Sequence, residues 1–236
     1  MIKVDFSRPG IWSALLPEAL RLMASVEAMI GSASWTLGGG TVLMLRHDHR
    51  ASKDIDIFVP DPQYLGCVTP RLSPVAESIS GNYEESAEAV KIICAQGEID
   101  IVVAAPLTKP SFEVCTFKGR EIKVETTAEI LAKKMWHRGN MATARDLFDL
   151  CAIADFEPDA IRIAEPAMLR HGAEFLRQLE QREQYLSVQF EEIDSRAFRK
   201  PYSACMRQAQ SLIRPLLARH VSPTRGTPSP PPGGSV

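Results

Sequence analysis

Asp54 and Asp56 stand two residues apart in "DIDIFVP", interleaved with Ile55, Ile57 and Val59. On a strand, residues i and i+2 point to one face, so the two carboxylates converge while the aliphatic side chains enter the core. Like charges that close repel unless cations compensate them. Hard divalent ions such as magnesium suit an all-oxygen pair of this kind. "EIDIVVA" sets Asp100 in a second apolar strand, with Glu98 on the same face but nearer a turn. If the two strands are neighbours, Asp54, Asp56 and Asp100 form one cluster. Three carboxylates can hold two Mg2+ ions at the spacing used for in-line phosphoryl transfer. One ion would activate the attacking oxygen, and the other would hold a triphosphate and the leaving pyrophosphate. Asp-x-Asp alone also occurs on plain surfaces and at sugar-nucleotide sites, so the reading rests on what surrounds it.

Upstream, Gly38, Gly39 and Gly40 end a predicted strand in "SWTLG" and open a predicted helix in "GTVLMLRHD". Such a junction lets backbone N–H groups approach phosphate closely, helped by the helix N-terminus. Thr41 adds a hydroxyl. No Gly-Lys-Ser/Thr follows, so this is not a Walker A loop. Arg46, His47, His49, Arg50 and Lys53 then make the segment before the aspartates basic. It would steer a triphosphate or an RNA backbone; the plain alternative is a solvated loop. His47 and His49 have no third ligand nearby in sequence and are read as solvated.

These residues need a sheet to hold them. "SALLPEALRLMASVEAMIGS" carries apolar residues at helical spacing and predicts a helix ending near Gly31. "SPVAESISGNY" predicts a helix ending near Gly81. "AVKIICA" and "EIDIVVAAP" predict one hairpin, and "FEVCTFKGREIKVET" a second around Lys118-Gly119. From Thr126 the pattern turns helical, with two helices broken at Gly139-Asn140 and Thr127 as the expected N-cap of the first. The expected fold is α+β: a mixed-sheet domain over 1–125 and a C-terminal helical bundle over 126–217. The Pro-, Gly- and Ser-rich stretch 218–236 cannot bury enough apolar surface to fold and is expected to be disordered.

The bulk numbers narrow the class. At 236 residues, 45% hydrophobic and 24% charged, the chain is an ordinary globular protein of one large or two small domains. A net charge of -2 gives no global basic field for nucleic acid. The 5 cysteines are odd in number and form no CxxC pair, against a zinc knuckle or a disulfide framework. The N-terminus lacks a signal-peptide core and no apolar run reaches transmembrane length, so the expectation is a cytoplasmic protein with no membrane association.

"LGGGTVLMLRHDHRASKDIDIFV" followed by "ILAKKMWHRGNMATARDLFDL" resembles the AbiEii/AbiGii-type nucleotidyltransferase toxins, members of the DNA polymerase β-like nucleotidyltransferase superfamily. The resemblance covers about residues 30–155. It implies that Asp54 and Asp56 are the magnesium aspartates. It implies a functional lysine at Lys134, with Lys133 beside it. "RDLFD" supplies Arg145, Asp146 and Asp149, with Phe148 where tyrosine is usual. Lys134 would bind the triphosphate, and Asp146 or Asp149 would orient that lysine or contact the base. Taken alone, Lys134, Arg138, Arg145 and Asp149 read as a solvated, salt-bridged helical pair.

The resemblance further implies a toxin with a cognate antitoxin protein as partner and an acceptor such as tRNA. The expected reaction is magnesium-dependent transfer of a nucleotide from an NTP, with release of pyrophosphate. Two alternatives stand beside it: a small-molecule, antibiotic-type nucleotidyltransferase, and a catalytically inactive nucleotide-binding partner protein.

Overall fold

The computed structural model describes residues 2–31 and 34–221. Helix α1 (Trp12–Ile30) is followed by β1 (Thr36–Gly38), α2 (Gly39–His47) and β2 (Ile55–Val59). The short helices α3 (Leu65–Val68) and α4 (Pro74–Ile79) lead to β3 (Tyr83–Glu85), β4 (Ala89–Cys94), β5 (Gly97–Val103), β6 (Phe112–Phe117) and β7 (Arg120–Glu125). Helices α5 (Thr127–Arg138), α6 (Ala144–Phe156), α7 (Pro158–Gln181), α8 (Glu183–Glu191) and α9 (Tyr202–Val221) complete the described chain.

The strands form one mixed sheet in the order β3-β4-β5-β2-β1-β7-β6. Central β2 runs parallel to β5 and antiparallel to β1. Ile55, Ile57, Val59, Ile99 and Ile101 are fully buried, and α1 packs across β2 and β5. Each such side chain stabilises the fold by about 1.5–3 kcal/mol on burial. That set fixes the register, because a one-residue slip would exchange Ile57 for Asp56 on the core face. The α+β class and both hairpins agree with the sequence reading. At the second hairpin, Lys118 and Gly119 have φ values of 48° and 82°, as a tight two-residue turn requires.

Several details differ from expectation. Strand β3 was not foreseen: Glu84 and Glu85 are exposed on this edge strand, so it has no apolar alternation to read. Asp54 lies one residue ahead of β2. The N-cap of α5 is Thr126, whose hydroxyl accepts from the Glu129 amide at 3.1 Å, and Thr127 is the first helical residue. Helix α9 runs through 218–221, where a tail was expected; the rest of that expected tail, 222–236, lies outside the described residues. The chain passes from sheet to helices between Glu125 and Thr127, but one continuous hydrophobic core takes side chains from both parts. The division at 125/126 therefore stands as a proposal about chain order. The cysteines are all free thiols.

Candidate active site

The period-two face of β2 and β5 builds the floor of a cleft of about 250 Å³. Asp56 and Asp100 are register partners on adjacent parallel strands, and Phe58 and Val102 are the next pair on the same face. Asp54, Asp56, Glu98 and Asp100 all line the cleft. The Asp54 Oδ1 atom accepts from the Glu98 amide at 3.0 Å, which fixes the first aspartate at the strand entrance. Gly39 and Gly40 form the neighbouring wall at the start of α2, where no side chain caps the helix. Gly39 has a φ of 72°, and a Cβ there would run into the Asp56 carboxylate. The glycine thus meets two needs at once, a left-handed turn and close approach of Asp56.

Helix α5 supplies the opposite wall. Ile130, Lys133, Lys134, His137 and Arg138 all line the cleft. Their spacing, i, i+3, i+4, i+7 and i+8, is one helical face. Arg145 joins them from the first turn of α6. Among the described residues neither Arg138 nor Arg145 has a hydrogen-bond or ion-pair partner, so both are free to meet an anion. The cleft therefore sets carboxylates on strands against cations on helices.

Behind Lys134 lies a buried charge network. Its ammonium donates to Asp146 Oδ1 at 2.8 Å and lies 3.0 Å from Asp149 Oδ2. Asp146 also closes a capping box with Thr143 at the head of α6. Asp149 is fully buried and accepts from Arg50 Nε at 2.6 Å, Arg50 Nη2 at 2.9 Å and His49 Nε2 at 2.8 Å. Burial alone would depress the Lys134 ammonium, but Asp146 and Asp149 outweigh it and raise it. Burial would likewise raise Asp149, yet Arg50, Lys134 and His49 hold it well below the usual carboxylate range. The result is a brace that ties the segment before β2 to α5 and α6 and aims Lys134 at the cleft.

This corrects two readings. The basic segment is not a solvated loop: Arg46, His47, His49 and Arg50 are all buried. Arg46 reaches Glu113 at 2.6 Å and donates to the Glu125 carbonyl at 2.8 Å. Only Lys53 of the set is exposed, and it does not line the cleft. Nor is the α5–α6 pair a set of solvated surface ion pairs, since Asp146 and Asp149 are interior.

Burial, with help from His49 and Arg46, lowers His47 to about 3. The unfolded chain then binds the extra proton between pH 6.5 and 3, so stability falls as pH drops through that window. We expect the histidine to cost about 2 kcal/mol on going from pH 7 to pH 5. Urea unfolding at both values should show the loss shrinking by that amount in His47→Gln; an unchanged pH slope would contradict it.

Other predicted residues take supporting positions. The Thr41 hydroxyl donates to the Asp54 carbonyl at 2.6 Å and is fully buried, so it holds the aspartate loop instead of lining the cleft. Gly38 is buried beneath Phe58 and Glu125. Asp146 and Asp149 lie behind Lys134 and not on the cleft surface. Lys133, the alternative lysine, is committed to Glu125 at 2.5 Å, with Glu129 at 3.6 Å. Lining residues not singled out beforehand include Ser52, Phe58, Lys91, Val102 and His137. The period of two carried past Asp56 and Asp100 finds Phe58 and Val102, and helical spacing from Lys134 finds Ile130, His137 and Arg138.

The carboxylates suit a divalent cation, with one correction. Among the described residues, no three His, Cys, Asp or Glu side chains converge closely enough to hold a metal unaided. Asp54 is held by the Glu98 amide, and Asp100 lies 4.0 Å from Lys91. The remaining chemistry fits. Asp56 has no hydrogen-bond donor among the described residues, and burial raises it even against Arg138 and Lys134. Burial and the adjacent Asp56 push Asp100 up to about 7. A cation would relieve both. Magnesium commonly takes one or two carboxylates and completes its shell with water and substrate phosphate, so a preformed three-carboxylate cage is not required.

A cleft of opposed charges beside a glycine turn suits a triphosphate with its cation, and the chain is a nucleotidyltransferase. It belongs to the family described as nucleotidyl transferase AbiEii toxin, type IV TA system, whose family model matches residues 21–219. This bears out the resemblance drawn from the glycine, Asp-x-Asp and "RDLFD" segments. No curated protein matches the chain significantly. Among solved structures, the chain is similar to the nucleotidyltransferase toxin MenT4 of Mycobacterium tuberculosis at 18% identity and a TM-score of 0.43, covering 90% of this chain and 85% of that one. It is similar to JHP933 of Helicobacter pylori at 14% identity and a TM-score of 0.46, covering 85% and 90%. It is also similar to the antibiotic-resistance factor ANT(2'')-Ia at 13% identity and a TM-score of 0.47, covering 77% and 98%. Among the described residues, no helix is long and apolar enough to cross a membrane.

Proposed function

We propose that the cleft binds an NTP with Mg2+ and transfers its nucleotidyl group to an acceptor such as tRNA, releasing pyrophosphate. The observation that carries this is the facing of Asp54, Asp56 and Asp100 by Lys134, Arg138 and Arg145 across one cleft. In this reading Asp54 and Asp56 hold magnesium, with Asp100 beside them. The metal supplies neutralisation of charge on the transferring phosphate. Gly39 and Gly40 present backbone N–H groups to the triphosphate, while Lys134, Arg138 and Arg145 bind its oxygens. Asp146 and Asp149 act through Lys134 by fixing its position. The acceptor hydroxyl forms a new bond to the α-phosphorus, the bond to pyrophosphate breaks, and the hydroxyl proton passes to a carboxylate of the cleft. A cognate antitoxin protein is the partner the family description implies.

The test incubates the protein with Mg2+, total cellular RNA and each NTP labelled at the α-phosphate. Label in the tRNA fraction is the expected result. NTP turnover without labelled RNA would contradict an RNA acceptor and favour a small molecule.

A further inference from the structure

At one end the floor of the cleft is apolar. Asp54, Asp56 and Phe58 share one strand face, as do Glu98, Asp100 and Val102 on the neighbouring strand. With Asp56 beside Asp100 and Phe58 beside Val102, the floor changes from carboxylate to apolar in a single step. That step is roughly 6–7 Å along the strand. Ile130 lines the same cleft from α5. Phe58 and Val102 are only half-buried, so apolar surface faces a cleft otherwise built for ions.

The Phe58 ring is also held rigidly. The Lys133 ammonium sits 4.0 Å from its centroid, and that amine is itself fixed by Glu125 and Glu129. On another side the ring packs so closely on Gly38 that a Cβ there would collide with it. The Lys133 ammonium covers one face of the clamped ring, which leaves the other as a flat, preorganised surface. Such surfaces bind the π-face of a base and tolerate any base sequence.

We propose that Phe58 and Val102, backed by Ile130, form a nucleobase platform. This rests on the proposed nucleotidyl transfer. The proposed phosphate-binding groups, Gly39, Gly40, Lys134, Arg138 and Arg145, line the same cleft, so a nucleotide with its reacting phosphorus at Asp56 would reach the platform through its ribose. The base has two sources: the NTP itself, or the terminal nucleotide of the acceptor.

The experiment compares binding of NTP and of inorganic tripolyphosphate, both with Mg2+, to the wild-type chain and to Phe58→Leu and Val102→Gln. Circular dichroism and thermal unfolding establish that the variants fold, and Val102→Gln keeps the test alive if the leucine variant does not. A tenfold or greater loss of NTP affinity with tripolyphosphate binding unchanged assigns the platform to the NTP base. Unchanged NTP affinity with a KM for RNA raised tenfold or more assigns it to the acceptor base. Folded variants that change neither overturn the platform while leaving the transfer reading intact. A wild-type protein that binds neither NTP nor tripolyphosphate overturns both.

Discussion

An Asp56→Asn protein is expected to fold normally and to transfer nucleotides at least about a thousandfold more slowly than wild type. The two halves of this expectation have different causes. Asp56 carries a carboxylate with no hydrogen-bond donor among the described residues, next to Asp100 and raised by burial. Removing its charge relieves repulsion and a desolvation cost, so the unfolding midpoint should hold or rise. The amide matches the carboxylate in shape, which preserves the close packing on Gly39. Phosphoryl transfer, by contrast, depends almost wholly on positioning and charge stabilisation, so one missing anion at the proposed metal site is costly. In cells, expression of the wild-type toxin should stop growth and Asp56→Asn should relieve the arrest. Equal toxicity from a folded Asp56→Asn protein would mean that the arrest does not come from nucleotide transfer.

Asp149→Ala is expected to have the largest effect on stability, about 3–5 kcal/mol. Its carboxylate neutralises Arg50 and helps neutralise Lys134, and it takes a hydrogen bond from His49, all without contact with water. Deleting it leaves buried donors and positive charge uncompensated, which costs more than the pair ever contributed as a net stabiliser. Because native Asp149 lies well below its unfolded value, its contribution is present above about pH 4 and is lost as pH falls further. Urea unfolding at pH 7 should therefore show a large loss in Asp149→Ala. A change under about 0.5 kcal/mol would contradict the brace. Activity should fall with it, since Lys134 and the Arg50 segment would lose their common anchor. Lys134→Ala also touches this brace, so it should lower stability in addition to activity, unlike removal of a solvated lysine.

The strand side of the site was legible in the sequence because its period is short. Asp54, Asp56 and Asp100 each sit among aliphatic residues, and alternation assigns their face without reference to distant chain. The α5–α6 motif pointed to Lys134 and to an aspartate that orients it, but not to the buried brace behind them. Arg50 meets a carboxylate 99 residues away, and no local pattern contains that pairing. A run of Arg and His between a helix and a strand reads as exposed, because charged residues are rarely buried unless paired. Here the partners Asp149, Glu113 and the Glu125 carbonyl come from other elements. Thr41 was misplaced for a related reason. A hydroxyl beside glycines reads as a phosphate ligand, but the turn of α2 brings it under Asp54. Edge strand β3 escaped notice because it buries too little to leave a hydrophobic pattern.

The central claim, nucleotidyl transfer in the Asp56 cleft, is tested most directly by following both ends of one NTP. The wild-type protein is incubated with Mg2+, total RNA and an NTP labelled either at the α- or at the γ-phosphate. The account predicts α-label on the acceptor and γ-label in pyrophosphate, with both signals lost in Asp56→Asn. Transfer of the γ-label to the acceptor, or its release as orthophosphate, would contradict it.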